Sequence, residues 1–210
     1  MTGLYDAIAT ARALVPAAAG LPAEAALGAC RGIGDLPILR LWQAVESGLK
    51  DRPRRVVQLT ACAAGEADPA VAVRLGRLAG RVMGGGVLVL NAVDSETRVE
   101  EGGRLAFGPL PGRGGDARAL DSALLGRYWD RLSERAGLII LDTPPVLASP
   151  LALGLAPSAD GVILLIEAER TREAVAAAAR DALVRGGANL LGAVLTKRRF
   201  HVPKRLYEML

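Results

Sequence analysis

Aromatic residues, histidine and cysteine are all scarce in this chain of 210 residues. Aromatic side chains make up 3% of it, and His201 is the one histidine, which nearly excludes a histidine-based triad or zinc site. The two cysteines, Cys30 and Cys62, form neither a C-x-x-C pair nor a metal-ligand spacing. We therefore expect no metal site and a reduced cytoplasmic setting.

Long apolar runs are also missing from the sequence. No uncharged apolar stretch reaches the roughly 18–20 residues that span a bilayer. The N-terminal residues lack a basic segment followed by an apolar one, so no signal peptide is expected. These absences predict a cytoplasmic protein, with the inner face of the inner membrane as an alternative location.

Positive charge is concentrated near the C-terminus. The net charge is +4, and residues 197–205 contain five Lys or Arg and no acid, which leaves −1 for the rest. With so little net charge, the chain outside residues 197–205 is not expected to form a general surface for binding nucleic acid. The basic tail is either solvated or a docking segment for an acidic partner or an anionic membrane surface.

The apolar pattern predicts an α/β protein. Strands that are apolar throughout alternate with amphipathic helices, which indicates a mainly parallel, doubly wound sheet with helices on both faces. We predict strands within 55–61, 84–93, 105–111, 137–145, 161–169 and 188–197. We predict helices within 36–49, 71–82, 119–136, 149–159 and 171–187, the last starting at Thr171 and Glu173 and stopping at Gly186. The predicted organisation is a helical N-terminal extension (1–50), an α/β domain (51–200) and a C-terminal tail (201–210).

Two segments carry a family resemblance. Residues 138–175 contain an apolar strand ending in D-T-P-P (142–145), followed by a helix, A-D-G (159–161) and another strand. Residues 187–197 read GANLLGAVLTK. Both segments resemble the kinase domain of bacterial tyrosine kinases that regulate capsule and exopolysaccharide assembly, within the P-loop group of partitioning and septum-placement ATPases. The resemblance implies a P-loop NTPase-like fold.

The resemblance places the phosphate-binding loop after the first strand, where the chain departs from the family. A P-loop needs glycines, a lysine and a Ser/Thr hydroxyl for the triphosphate and Mg²⁺. The family motif Gly-Glu-Gly-Lys-Ser/Thr corresponds in this chain to a stretch that keeps its first glycine and glutamate but loses the other three residues; it reads Gly65, Glu66, Ala67, Asp68, Pro69 and Ala70. Asp68 and Pro69 are favoured as an N-cap and a first helical residue, so we predict a self-capped helix.

The acidic pair of the family is changed as well. After the second strand the family carries D-x-D, whereas this chain has Asn91-Ala92-Val93, with Asp94 one residue late. The remaining acid, Asp142, is interpreted as a strand-end residue that caps backbone N–H groups. We therefore expect a degenerate nucleotide site with no catalytic residues, no ATP or Mg²⁺ bound, and no metal.

The leading hypothesis is a non-catalytic pseudo-tyrosine-kinase that acts as a regulatory or scaffold component of exopolysaccharide biosynthesis and export. The resemblance implies a membrane-bound polysaccharide co-polymerase or another export-complex protein as partner, with self-association as a further possibility and no nucleic acid. One alternative is a divergent active tyrosine kinase or ATPase of the same pathway. Another is a positioning protein of the septum or chromosome type, docked through its tail.

Overall fold

The computed structural model describes residues 36–94, 96–100, 102–115 and 117–197. The expectations for residues 1–35 and for the basic tail beyond Lys197 lie outside this part of the chain. The division into an extension, a domain and a tail therefore stays a prediction.

A seven-stranded sheet forms the centre of the described structure. Its spatial order is β3-β4-β2-β5-β1-β6-β7, and every neighbouring pair is parallel except β3 and β4. The strands are β1 (Val56–Ala61), β2 (Gly86–Asn91), β3 (Arg98–Val99), β4 (Leu105–Pro109), β5 (Ala136–Thr143), β6 (Gly161–Glu167) and β7 (Leu190–Thr196). The central strand β1 is buried along its whole length, as expected for a parallel sheet covered on both faces.

Within the described residues, five α-helices cover the two faces of the sheet. They are α1 (Leu36–Leu49), α2 (Pro69–Val82), α3 (Ser122–Ser133), α4 (Pro150–Leu155) and α5 (Glu173–Arg185). On one face α1 and α2 contribute Leu41, Trp42 and Leu75 to a core with the sheet. On the other face α3, α4 and α5 contribute Trp129 and Leu155 to a second core. The predicted α/β class and doubly wound architecture are confirmed.

The structure departs from the sequence-based prediction in two places. The stretch 94–118 contains β3, a two-residue antiparallel edge strand that is too short to leave an alternating pattern. The predicted start of α5 is confirmed at Glu173 and is wrong for Thr171, because the N-cap is Arg172. The Thr171 hydroxyl instead accepts a hydrogen bond from the Glu167 N–H at 3.0 Å. The predicted stop at Gly186 is confirmed as the C-cap.

Candidate functional site

The parallel sheet brings the predicted site residues to one edge. Strands β2, β5 and β1 are neighbours, so the segments that follow them meet at the carboxyl edge of the sheet. Asp142, on β5, is in register with Asn91 on one side and with Leu59 of β1 on the other. Loops at this edge carry the ligand sites of open α/β sheets.

The loop after β1 is closed on itself. The Glu66 N–H donates to the Ala63 carbonyl, and the Ala63 N–H donates to Glu66 Oε2, both at 3.2 Å. This glutamate is buried, with 6% of its surface exposed. Gly65 has a φ of +80°, the conformation that favours glycine, whereas Ala67 has no positive φ. The loop therefore uses its own side chain to satisfy backbone groups that a ligand could otherwise contact.

Asp68 and Pro69 begin helix α2 as the sequence predicted. Asp68 is the N-cap, its Oδ1 accepts a hydrogen bond from the Ala70 N–H at 3.2 Å, and Pro69 is the first helical residue. The negative carboxylate lies at the positive end of the helix dipole, where it is stabilising. In active P-loops a phosphate group supplies the negative charge at this end of the helix. In this chain the Asp68 carboxylate supplies it.

Arg170 reaches the same loop from the turn after β6. Its Nη1 donates to the Gly65 carbonyl at 2.8 Å, and it also lies 3.5 Å from Glu167 Oε2. A Cβ atom placed on Gly65 would lie 2.8 Å from Arg170 Nη2. The guanidinium thus rests against the loop at Gly65. Sequence reasoning missed this residue, because the contact joins positions 105 residues apart.

Asn91 organises the turn after β2. Its Oδ1 accepts hydrogen bonds from the N–H groups of Val93 at 2.9 Å and Asp94 at 2.7 Å, and its Nδ2 donates to Asp94 Oδ2 at 2.7 Å. Val93 is 85% exposed. The Asp94 carboxylate also pairs with Arg98 at 3.7 Å. Asn91 and Asp94 therefore hold the turn itself, as short polar side chains do in turns.

Asp142 has no hydrogen-bond partner for its carboxylate among the described residues. This contradicts the interpretation that it caps backbone N–H groups. Burial, and secondarily the nearby Asp68 carboxylate, raise the pKa of Asp142 to about 7. An acid with such a pKa exists partly as the neutral carboxyl at neutral pH.

The cysteine at the start of the loop, Cys62, is buried, and its Sγ lies 3.6 Å from the Leu165 carbonyl. Burial and then the charge of Glu66 raise the pKa of the Cys62 thiol to about 11. The neutral thiol is therefore a packing group and a poor nucleophile. The described residues also contain no group of three or more His, Cys, Asp or Glu side chains placed to hold a metal ion.

The D-T-P-P segment continues from Asp142 into a turn that is tied to β1. The Thr143 hydroxyl donates to the Leu59 carbonyl at 3.1 Å and accepts from Gln58 Nε2 at 3.0 Å. The Thr60 hydroxyl donates to the Pro144 carbonyl at 2.9 Å. Thr143 and the Pro144 carbonyl therefore have structural roles that need no ligand.

The A-D-G segment lies at the opposite, amino end of the sheet. Asp160 is buried, its Oδ2 accepts a hydrogen bond from the Val56 N–H at 3.0 Å, and its Oδ1 lies 3.7 Å from Arg54 Nη2. A Cβ atom on Gly161 would lie 2.4 Å from Leu191 Cδ1, closer than real Cβ contacts come. Asp160 thus links the starts of β6 and β1, Gly161 leaves room for the Leu191 side chain, and both lie at the opposite end of the sheet from the candidate site.

The described helices include none that is both long and apolar enough to cross a membrane.

Comparison with curated proteins gives relatives of one kind. The chain is 31% identical over 102 residues to the "Putative tyrosine-protein kinase CapB" of Staphylococcus aureus, which covers 49% of this chain and 44% of that protein. It is 33% identical over 95 residues to the "Tyrosine-protein kinase YwqD" of Bacillus subtilis (strain 168), with 45% and 39% covered. These homologues are bacterial tyrosine kinases. The chain spans less than half the length of both relatives, and no family model matches it.

A solved structure shows the same fold. The kinase domain of Escherichia coli tyrosine kinase ETK superposes with a TM-score of 0.65, covering 79% of this chain and 78% of that chain, at 14% sequence identity. The predicted resemblance to bacterial tyrosine kinases and the P-loop NTPase-like fold are thus confirmed. At this identity the superposition concerns the fold alone.

Proposed function

We propose that this protein is a non-catalytic relative of bacterial tyrosine kinases that does not bind ATP. In this role it serves as a regulatory or scaffold component of exopolysaccharide biosynthesis and export. The observation that carries the proposal is Asp68, which caps α2 at the position where the family motif has its lysine.

The residues present do not fit MgATP. In place of the lysine cation the loop has a carboxylate, and a unit-charge pair at 4 Å contributes about 4 kcal/mol at an effective dielectric near 20. Pro69 supplies neither a backbone N–H nor the hydroxyl that holds Mg²⁺ in a P-loop. Glu66 and Arg170 bond to the loop at Ala63 and Gly65. Asp68 and Pro69 each oppose a bound triphosphate by a separate mechanism, whereas the loop contacts of Glu66 and Arg170 do not, since the family motif keeps the glutamate and the arginine is a cation.

Isothermal titration of the full chain with MgATP is the direct test. We expect no binding tighter than about 1 mM, which corresponds to roughly −4 kcal/mol. A matched variant that carries Ala67→Gly, Asp68→Lys and Pro69→Ser restores the motif and controls for the ability of the fold to accept nucleotide. A micromolar dissociation constant for the unchanged chain would refute the proposal.

The alternative is a divergent active tyrosine kinase or ATPase of the same pathway. The names of the curated relatives favour it, since both are called tyrosine-protein kinases. Phosphotyrosine that forms on the purified chain during incubation with MgATP would support this alternative. The same assay on the chain with Asp142→Asn separates activity of this protein from a co-purified kinase.

The proposed partner is the cytoplasmic segment of a membrane-bound polysaccharide co-polymerase, or another protein of the export complex. Self-association is the second arrangement. Analytical ultracentrifugation of the chain alone and with such a segment distinguishes the two. A chain that stays monomeric with and without that segment would contradict both arrangements.

A further inference from the structure

We propose that Arg170 is an internal strap that holds the former phosphate-binding loop in its closed conformation. The loop, residues 62–68, carries no lysine or arginine of its own. A cation reaches it instead from the turn after β6, through the 2.8 Å hydrogen bond of Arg170 Nη1 to the Gly65 carbonyl. The inference rests on the proposed loss of nucleotide binding and goes beyond it, since it names a contact that orders the loop without a ligand.

The turn that carries Arg170 is built to hold it in place. The Thr171 N–H donates to the Glu167 carbonyl at 3.0 Å, and the Glu167 N–H donates to the Thr171 hydroxyl at 3.0 Å. Between them, Glu169 adopts a φ of +65°. Such a closed turn fixes the backbone from which the arginine projects.

The Arg170 guanidinium also contacts a mostly buried acid, Glu167. Glu167 Oε2 lies 3.5 Å from Arg170 Nη1 and 3.1 Å from Lys197 Nζ, and 13% of the glutamate side chain is exposed. A planar guanidinium with several fixed donors can bond to a carbonyl and a carboxylate at once. The contact therefore links the loop after β1, the end of β6 and the end of β7.

The loop carries two acidic side chains and no basic one, so a nearby arginine is electrostatically favourable. Glu66 is buried within the loop and Asp68 caps the helix that follows it. An active P-loop pairs its backbone with a phosphate anion, whereas this loop pairs a carbonyl with an arginine. The Arg170 bond is thus made to a loop carbonyl and not to the N–H groups that bind phosphate in an active P-loop.

Hydrogen–deuterium exchange of the full chain without nucleotide tests the strap. Arg170→Ala removes the bond, and we expect the amides of residues 62–68 to exchange roughly threefold faster or more, because local opening becomes easier. Arg172→Ala is the matched control: it removes the same charge two residues away, from a side chain that makes no cap bond. In the control, exchange in the loop should equal that of the unchanged chain.

Two outcomes would overturn the strap. One is unchanged loop exchange in Arg170→Ala, and the other is equal acceleration in both variants, which would reflect lost charge in general. Arg170→Lys adds a third measurement, since a lysine that can still reach Gly65 should restore slow exchange at least in part. Binding of MgATP to the unchanged chain would refute the proposed function, yet the exchange experiment would still decide the strap on its own.

Discussion

Asp160 at the amino end of the sheet and Asp142 at its carboxyl end are in opposite situations. At the amino end, Asp160 accepts a hydrogen bond from Val56 and lies beside Arg54. At the carboxyl end, Asp142 has no hydrogen bond from the described residues, and its pKa is raised to about 7. Asp160 is buried and Asp142 is half-buried, and a carboxylate that is removed from water costs free energy unless it is paired. Asp160 is therefore explained by the fold, whereas Asp142 is not.

This contrast separates two kinds of motif residue. Asp160, Gly161 and Thr143 have structural roles that persist whether or not a nucleotide binds. The loop at 65–70 and the turn at Asn91 are predicted to differ from the family motif; there Asp68 bonds to the Ala70 N–H, and Asn91 bonds to the backbone of its own turn and to Asp94. Under the proposed function, loss of ligand binding removes the constraint on the second group alone.

The largest expected effect comes from Asp160→Ala. It leaves the buried Val56 N–H without its partner and Arg54 without an acid on that side, so we expect the free energy of unfolding to fall by roughly 3 kcal/mol. Denaturant unfolding measures it. The control is Asp130→Ala, which removes the other acid beside Arg54 from a side chain that is 65% exposed and should cost about 1 kcal/mol or less. Equal losses in the two variants would contradict the structural role of Asp160.

The next effect concerns the pH dependence of stability. The pKa of Asp142 is about 7 in the folded chain and roughly 3.9 in an unfolded one, so the folded state binds the proton more tightly. The contribution of Asp142 to the free energy of unfolding is therefore fully present below about pH 4 and is lost as the pH rises to about 7. The asparagine in Asp142→Asn cannot ionise, so this variant does not lose stability in that pH range.

We therefore expect Asp142→Asn to gain roughly 2 kcal/mol relative to the unchanged chain between about pH 4 and pH 8, because the half-buried carboxylate keeps part of its hydration. Denaturant unfolding at both pH values checks it, and Asp130→Asn serves as the exposed control. A difference that does not change with pH would show that Asp142 ionises normally. That result would contradict the contrast between Asp142 and Asp160.

The sequence could predict features that depend on local patterns but not contacts between distant segments. Strand positions and the capping of α2 by Asp68 and Pro69 were predictable, because buried strands and helix starts leave local patterns. The contact of Arg170 with Gly65 and the isolation of Asp142 were not, since both depend on which side chains from distant segments meet. The two-residue strand β3 was missed for lack of length. The role of Asp160 likewise needed the register of β1 against β6.

The smallest expected effect tests whether the rebuilt helix start stabilises the fold. Asp68→Ala removes the cap bond to the Ala70 N–H and should lower the free energy of unfolding by about 1 kcal/mol at neutral pH. It also removes the charge that contributes to the raised pKa of Asp142, so that pKa should fall, which carboxyl NMR titration can follow. Asp121→Ala, which removes the two cap bonds of α3 far from the site, is the matched control: it should cost a similar amount and leave the Asp142 titration unchanged. If Asp68→Ala instead stabilises the chain at about pH 4, where Asp142 is protonated and repulsion between the two acids is small, the cap bond does not stabilise the start of α2.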